Sequence, residues 1–275
     1  IKEYIRAGDT YQVNYSYRLR APFAADPWAL FVRMVQAQGA GYSAFISGAE
    51  WAVCSASPEL FFTLEDGVLV SRPMKGTMAR GLTQAEDSRQ AAALRRSEKN
   101  RAENLMILDM VRNDLGRIAA PGSVRVSRLF ELEKYPTLWQ MTSSVQCRTR
   151  CGISEIFRHT FPAASITGAP KVRTMEIIRE LEPDPRQIYT GSIGFMTPAG
   201  RAQFNVAIRT VLVDRRLRLA EYGVGGGVVW DSEATDEQCE CAVKAEVLVR
   251  SQPEFSLLET MLWTPGEGYA LLDYH

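Results

Sequence analysis

A carboxylic acid and a primary amine, Glu59 and Lys75, stand 16 residues apart in the segments SPELFF and RPMKGT. If folding brings such a pair together, the acid can protonate a departing group while the amine attacks as a nucleophile. The amine must be neutral to attack, yet at an ordinary pKa near 10.4 only about one lysine in 2,500 is neutral at pH 7. Lowering that pKa by ~3 units, worth about 4 kcal/mol, takes burial or a neighbouring cation. A snorkelling surface lysine is the alternative reading of RPMKGT.

Two further groups of side chains have chemical potential. Glu103, Glu237 and Glu240 offer hard oxygen donors of the kind that Mg²⁺ accepts alongside waters and a substrate carboxylate, with solvated helix glutamates as the alternative. Glu237, Glu240 and Lys244 follow at i, i+3 and i+7 and so share one helix face. Arg209 lies in the apolar run QFNVAIRTVLV. Burying a guanidinium without a partner is costly, so it is expected to meet either a structural acid or a substrate carboxylate. Tyr189 and the amides of Gly225, Gly226 and Gly227 are the candidates beside it.

The elements that position these groups can be read from spacing. Trp51 to Ser55 and Glu59 to Leu64 alternate as strands, Asp66-Gly67 makes a two-residue turn, and Val68 to Ser71 returns antiparallel. That register puts Glu59 across from about Met74, with Lys75 its near neighbour at roughly 5–8 Å. Pro27 opens a helix carrying Trp28, Leu30, Phe31 and Met34. A helix is expected from about Asp87 to Leu115, with Gly116 as a left-handed cap. In SITGAPKVRTMEII a strand leads into a helix, with Thr167 as cap and Pro170 in the first turn, and such helix N-termini attract carboxylates. YTGSIGFM, QFNVAIRTVLV and LRLAEYGVGGGVV read as a meander. In it Tyr189 and Arg209, symmetric about Ala199, are expected on neighbouring strands. The last helix opens on a capping-box pattern at Thr235-x-x-Gln238.

Composition narrows the classes of function. The chain has 275 residues, 46% of them hydrophobic, enough for a substantial core in one or two domains. Its 32 basic and 32 acidic side chains balance, so neither a nucleic-acid nor a membrane partner is expected. Five cysteines and two histidines give no zinc spacing and read as reduced thiols of a cytoplasmic protein. No apolar run reaches the ~18 residues of a membrane span. The sequence opens at Ile1 within an amphipathic pattern, which reads as a fragment. It carries no P-loop, dinucleotide fingerprint or Ser/His/Asp set, and GVGGGV lacks the helix that would make it a phosphate site.

Taken in order, YQVN, SPE, PMKGT, RAENLMILDMVRNDLGR, SITGAPKVRTMEII, YTGSIGF, AIRT and GVGGGVVWDS resemble the chorismate-utilising enzymes from Ile1 to about Ser251. The resemblance implies an α+β fold of the anthranilate synthase component I kind: two large, mainly antiparallel sheets packed together, helices outside, and an N-terminal portion absent here. Anthranilate and isochorismate synthases typically carry alanine before Gly-Thr, whereas the branch that aminates chorismate carries the lysine found here as Lys75. The implied reaction has Lys75 attack C2 of chorismate while Glu59 protonates the departing C4 hydroxyl. Ammonia then adds at C4 and expels the lysine.

By the same matching, Glu103, Glu237 and Glu240 would hold Mg²⁺, and Tyr189, Arg209, Lys244, Ser165, Thr167 and the glycine amides would bind substrate. Gln12 stands where isochorismate-forming relatives place a water-activating lysine, and Gln140 where many relatives have histidine. Ammonia is expected from a separate glutamine amidotransferase subunit or domain. Anthranilate synthesis and a non-catalytic amidotransferase-binding scaffold are the alternatives. Residues 255–275 resemble the opening strands of aminodeoxychorismate lyases, pyridoxal-phosphate enzymes, and 252–275 are read as a linker and the start of a truncated second domain. The cofactor lysine of such a lyase would lie beyond this chain, so no pyridoxal phosphate is expected on it.

Overall fold

A computed structural model of the chain describes residues 1–39, 41–136, 138–249, 263–266 and 268–269. The expected domain boundary at 251/252 lies outside the described residues. Beyond it, Trp263–Thr264 and Gly268–Tyr269 pair antiparallel around Pro265-Gly266. Among the described residues no helix is long and apolar enough to cross a membrane.

The expected α+β architecture is the one observed. After a short helix α1 (Lys2–Arg6) come β1 (Gln12–Pro22), α2 (Pro27–Gln38), β2 (Tyr42–Ser47) and β3 (Trp51–Ser57). Next are β4 (Leu60–Glu65), β5 (Val68–Arg72), β6 (Met74–Ala79), α3 (Gln84–Arg96), α4 (Glu98–Gly116), β7 (Arg125–Lys134) and β8 (Leu138–Arg148). Then follow α5 (Ile153–Thr160), β9 (Gly168–Ala169), α6 (Lys171–Leu181), β10 (Ser192–Met196), β11 (Ala202–Val206), β12 (Thr210–Asp214), β13 (Leu219–Val228) and α7 (Ala234–Ala245). One sheet runs β2-β3-β12-β13-β1-β9 and the other β10-β11-β4-β5-β8-β6, with β7 also on β8; every pairing is antiparallel.

Each sheet buries one face under its own helices. Leu30, Met34 and Ala37 of α2 pack on Cys54, Ala56, Val211 and Val224 of the first sheet. Ile107, Leu108 and Val111 of α4 pack with Phe61, Phe62 and Leu69 of the second. There Phe62, Phe157 and Phe204 meet edge to face or tilted, and the fully buried ring of Phe62 contributes roughly 1.5–3 kcal/mol.

Several local expectations hold. Asp26 caps α2 by accepting from the Trp28 and Ala29 amides ahead of Pro27, and Gly39 closes it at φ 60°. Asp66 and Gly67 both take positive φ, as a type I′ turn requires, and pair Glu65 with Val68 and Leu64 with Leu69.

Others are corrected. The hairpin register shifts between Thr63 and Leu60, and the strand ends at Arg72 before Pro73, which has no N–H to offer. Lys75 therefore lies on a separate strand, β6, which pairs with β8. The long helix breaks at Ser97, whose hydroxyl accepts from the Asn100 amide and starts α4 afresh. Gly116 stays helical, and the chain leaves through Arg117 at ordinary helical angles. Pro170, not Thr167, precedes α6, and α7 starts after Glu233 with no side-chain cap, so the capping box does not form. The run QFNVAIRTVLV is two strands in different sheets, β11 and β12, broken at residues 207–209. Tyr189 and Arg209 consequently flank the β10–β11 hairpin and sit on neither strand.

Candidate active site

Two of the places where the chain passes from one sheet to the other lie side by side. The first is Pro58-Glu59, between β3 and β4. The second is Ala207-Ile208-Arg209, where Arg209 takes φ 51°. The Ala56 amide donates to the Arg209 carbonyl at 3.0 Å and the Val206 amide to the Glu59 carbonyl at 3.1 Å. An acid and a guanidinium are thus fixed at the seam between the sheets, on the wall of a cavity of about 280 Å³.

Glu59 is only 4% exposed. Burial pushes its carboxyl up to about 7, opposed by the nearby Ser165 hydroxyl, the Lys75 charge and a hydrogen bond from the Met74 amide.

Lys75 enters the cavity from β6 at a β-bulge. Met74 pairs with Thr142 and Thr77 with Gln140, so Lys75 and Gly76 together oppose Met141. Gly76 takes φ +95°, which a side chain would resist. The carbonyls that this bulge frees are satisfied by side chains. The Asn104 amide donates to the Lys75 and Met141 carbonyls at 3.3 and 3.5 Å, and the Gln140 amide donates to the Gly76 carbonyl at 2.9 Å. The lysine amine is held below its ordinary value, first by burial and then by the Lys244 charge, against the pull of Glu103, Glu59 and Glu240. Both means of lowering a lysine pKa are therefore present. Among the described residues no carboxylate lies within ion-pair distance of its Nζ.

Opposite Lys75 stand β13 and α7. A Cβ at Gly227 would lie 2.0 Å from Gln12 Nε2 and 3.3 Å from Lys75 Nζ, and one at Gly223 would lie 2.1 Å from the Tyr189 ring. The glycines of GVGGGV thus make room for side chains that pack directly on the strand. Lys244 Nζ donates to the Gly225 carbonyl at 2.8 Å and pairs with Glu240 at 2.5 Å. Arg209 and the Tyr222 hydroxyl both donate to the Lys244 carbonyl, and no acid among the described residues pairs with Arg209.

Of the expected catalytic, substrate-binding and metal residues, Glu59, Lys75, Glu103, Ser165, Tyr189, Arg209, Gly225, Gly227, Glu237, Glu240 and Lys244 line this one cavity. Two do not. The Thr167 hydroxyl is turned to the carbonyls of Ala163 and Ala164. Gly226 faces Glu237 and lines a neighbouring cleft with Tyr15 and Tyr17. Sequence reasoning missed Asn14, Ile166, Lys99, Asn100 and Tyr222 on the cavity wall. Tyr222 had a signal, an aromatic residue beside the glycine run; the others reach the site only through tertiary packing.

The glutamates fit magnesium in kind, with three hard carboxylates facing one space, but they are spread apart. Among the described residues no three metal-binding groups are gathered into a ligand set. Burial raises the Glu103 carboxyl, and the Glu240 and Glu237 charges add to the rise against the pull of Lys75 and Lys99. For Glu240 the effect of burial is outweighed by Lys244, Lys75 and Lys99, which hold it below its ordinary value. A divalent cation among the three would relieve the mutual repulsion felt at Glu103.

Residues 1–250 match the family model for chorismate binding enzymes. The chain is 40% identical over 252 residues to aminodeoxychorismate synthase component 1 of Escherichia coli K12, covering 91% of this chain and 55% of that protein. It is 39% identical over 253 residues to the protein of the same name in Bacillus subtilis 168, covering 91% and 53%. The chain thus spans about half the length of the curated relatives it matches. Among solved structures, anthranilate synthase component I from Streptococcus pneumoniae TIGR4 superposes with a TM-score of 0.82 at 31% identity, over 90% of this chain and 55% of that one. The expected resemblance to chorismate-utilising enzymes is borne out, and the two curated relatives carry the name of its aminating branch.

Proposed function

The chain belongs to the family of chorismate binding enzymes, and from that premise we propose that it aminates chorismate at C4 with ammonia to give 4-amino-4-deoxychorismate, a precursor of p-aminobenzoate. The observation that carries this reading is Lys75. Its amine is held below the ordinary lysine range by burial and by Lys244, and it opens into the same cavity as the buried acid Glu59.

In the proposed sequence the neutral Lys75 amine forms a bond to C2, both double bonds of the ring diene shift along the ring toward C4, and the C4–O bond breaks. Glu59, as the acid, gives its proton to the departing hydroxyl, which leaves as water. Ammonia then bonds to C4 and gives up a proton to Glu59, both double bonds return, and the C2–N bond breaks to release Lys75 as the neutral amine. Burial serves both groups, since it favours the neutral form of each. Arg209, free of any acid partner among the described residues, and Lys244 would bind substrate carboxylates, with Tyr189 packing beside them. Glu103, Glu237 and Glu240 would hold magnesium, which when bound supplies positive charge for the ring carboxylate. A glutamine amidotransferase would supply the ammonia. A cytoplasmic setting belongs to the same proposal and suits free cysteines such as Cys54, whose thiol burial pushes up to about 12.

The test is mass-resolved product analysis of the intact protein with chorismate, Mg²⁺ and ammonium, which bypasses the amidotransferase, beside Lys75→Ala. Aminodeoxychorismate from the wild type and its loss in Lys75→Ala are expected. Anthranilate as the product, or an unimpaired alanine variant, would overturn the proposal.

A further inference from the structure

One stretch of the cavity wall is fastened by a buried ion pair absent from the sequence-derived site. Glu182, just past α6, is 4% exposed at its side chain and Arg186 15%. The guanidinium meets the carboxylate twice, Nη2 to Oε1 at 2.6 Å and Nε to Oε2 at 2.9 Å. Its remaining donors reach three separate segments. Nη2 donates to the Asn14 carbonyl on β1 at 2.6 Å, while Nη1 donates to the Ile166 carbonyl at 2.7 Å and to the Thr190 hydroxyl at 3.5 Å. Glu182 in turn accepts from the Ser16 amide and hydroxyl at 2.8 and 2.9 Å.

The fastened segments are cavity wall. Asn14 and Ile166 line it, and Thr190 is the immediate neighbour of Tyr189, which lines it too. The ring of Tyr189 is held from outside as well: Arg18 lies over it at 4.9 Å and donates to the Pro185 carbonyl at 3.1 Å, while Gly223 closes the other side.

We infer that Glu182 and Arg186 are positioning residues for chorismate, setting Asn14, Ile166 and Tyr189 as one wall against which the substrate packs; this rests on the proposed function. Neither touches the cavity. Lys75 and Glu59 are held by other devices, the β6 bulge and the first crossing between sheets. Misplacing the wall therefore weakens binding of ground and transition state alike, which raises KM and spares kcat.

Arg186→Lys keeps the charge but has no planar fork with which to hold the carboxylate and three segments at once. In the intact protein with Mg²⁺ and ammonium, we expect its KM for chorismate to rise about tenfold, with kcat within about threefold of wild type and the KM for ammonia unchanged. Glu182→Gln keeps the shape and an acceptor for Ser16 but loses the charge pair, and is expected to shift KM in the same direction. An unchanged chorismate KM in a folded, active variant overturns the inference. So does a loss of kcat that merely tracks the fraction of folded protein, or failure of both variants to fold, since the pair is then only a fastening. A wild type that does not turn over chorismate instead removes the functional reading on which the inference stands.

Discussion

At the scale of single residues, burial disfavours the charged forms of Glu59, Lys75 and Glu103. Glu59, raised from 4.5 to about 7 chiefly by burial, is neutral in the folded chain over a range where the unfolded chain has already ionised it. The sign follows. Below pH 4.5 both states are protonated and the group is silent; between 4.5 and about 7 the folded state loses stability as pH rises; above about 7 the loss is complete, on the order of 3 kcal/mol. Glu59→Gln is therefore expected to melt higher than wild type at pH 8 and to converge with it near pH 4, in scanning calorimetry at both pH values. Stability gained and function lost in one substitution is the signature of a strained functional site. The rate should carry the same two groups. At constant free ammonia, kcat/KM is expected to fall on the acid side as Lys75 gains a proton and on the alkaline side as Glu59 loses one. Glu59→Gln should abolish the alkaline limb and lower the rate about 10²–10⁴-fold. An alkaline limb that survives unchanged in that variant would assign it to another group.

At the scale of elements, the amine is delivered by a bulged strand whose freed carbonyls are met by Asn104 of α4 and Gln140 of β8. Asn104→Ala strands the Lys75 and Met141 carbonyls and the Ser143 hydroxyl, which donates to Asn104 at 2.5 Å. About 1–3 kcal/mol of stability should go, visible in urea unfolding, and kcat should fall more than the affinity for chorismate, because the displaced group is the proposed nucleophile. Unchanged kcat in a destabilised variant would make Asn104 a purely structural residue. The bulge also marks the limit of what spacing conveys. The Asp66-Gly67 hairpin, the helix opening at Pro27 and the hairpin centred on Ala199 were all legible, because each is written in local turn or helix-start chemistry. So was the meeting of Glu59 with Lys75, although it arises from a new strand beginning after Pro73 and not from one continued hairpin. What could not be read were the tertiary decisions. QFNVAIRTVLV contains no Gly or Pro to announce that it changes sheets, and the strained φ falls on Arg209. Thr235 carries a capping pattern that the helix start at Glu233 leaves unused. The Glu182–Arg186 fastening joins partners more than 160 residues apart.

At the scale of the molecule, the cavity belongs to neither sheet alone. β13 and β12 bring the glycines and the approach to Arg209 from one, β4 and β6 bring the approach to Glu59 and Lys75 from the other, and each sheet has its own apolar core under its own helices. A ligand in the seam touches both halves, so it should stabilise both together. Anything that binds only the folded state at 100 times its Kd adds about 2.7 kcal/mol to stability. With Mg²⁺ present, chorismate is therefore expected to move a single melting transition upward as a whole, and native-state hydrogen exchange should slow in β13 and in β6 alike. Chelation should cancel most of the shift, since Glu103, Glu237 and Glu240 would then face the ring carboxylate with their charges unrelieved. Protection confined to one sheet, or a shift of equal size with and without the cation, would contradict a substrate held across the seam by carboxylate-bound magnesium. Joint protection of both sheets would also explain the arrangement itself. The two chain crossings, where the backbone must leave one ladder and enter another, are the points at which Glu59 and Arg209 can face the same cavity from opposite cores.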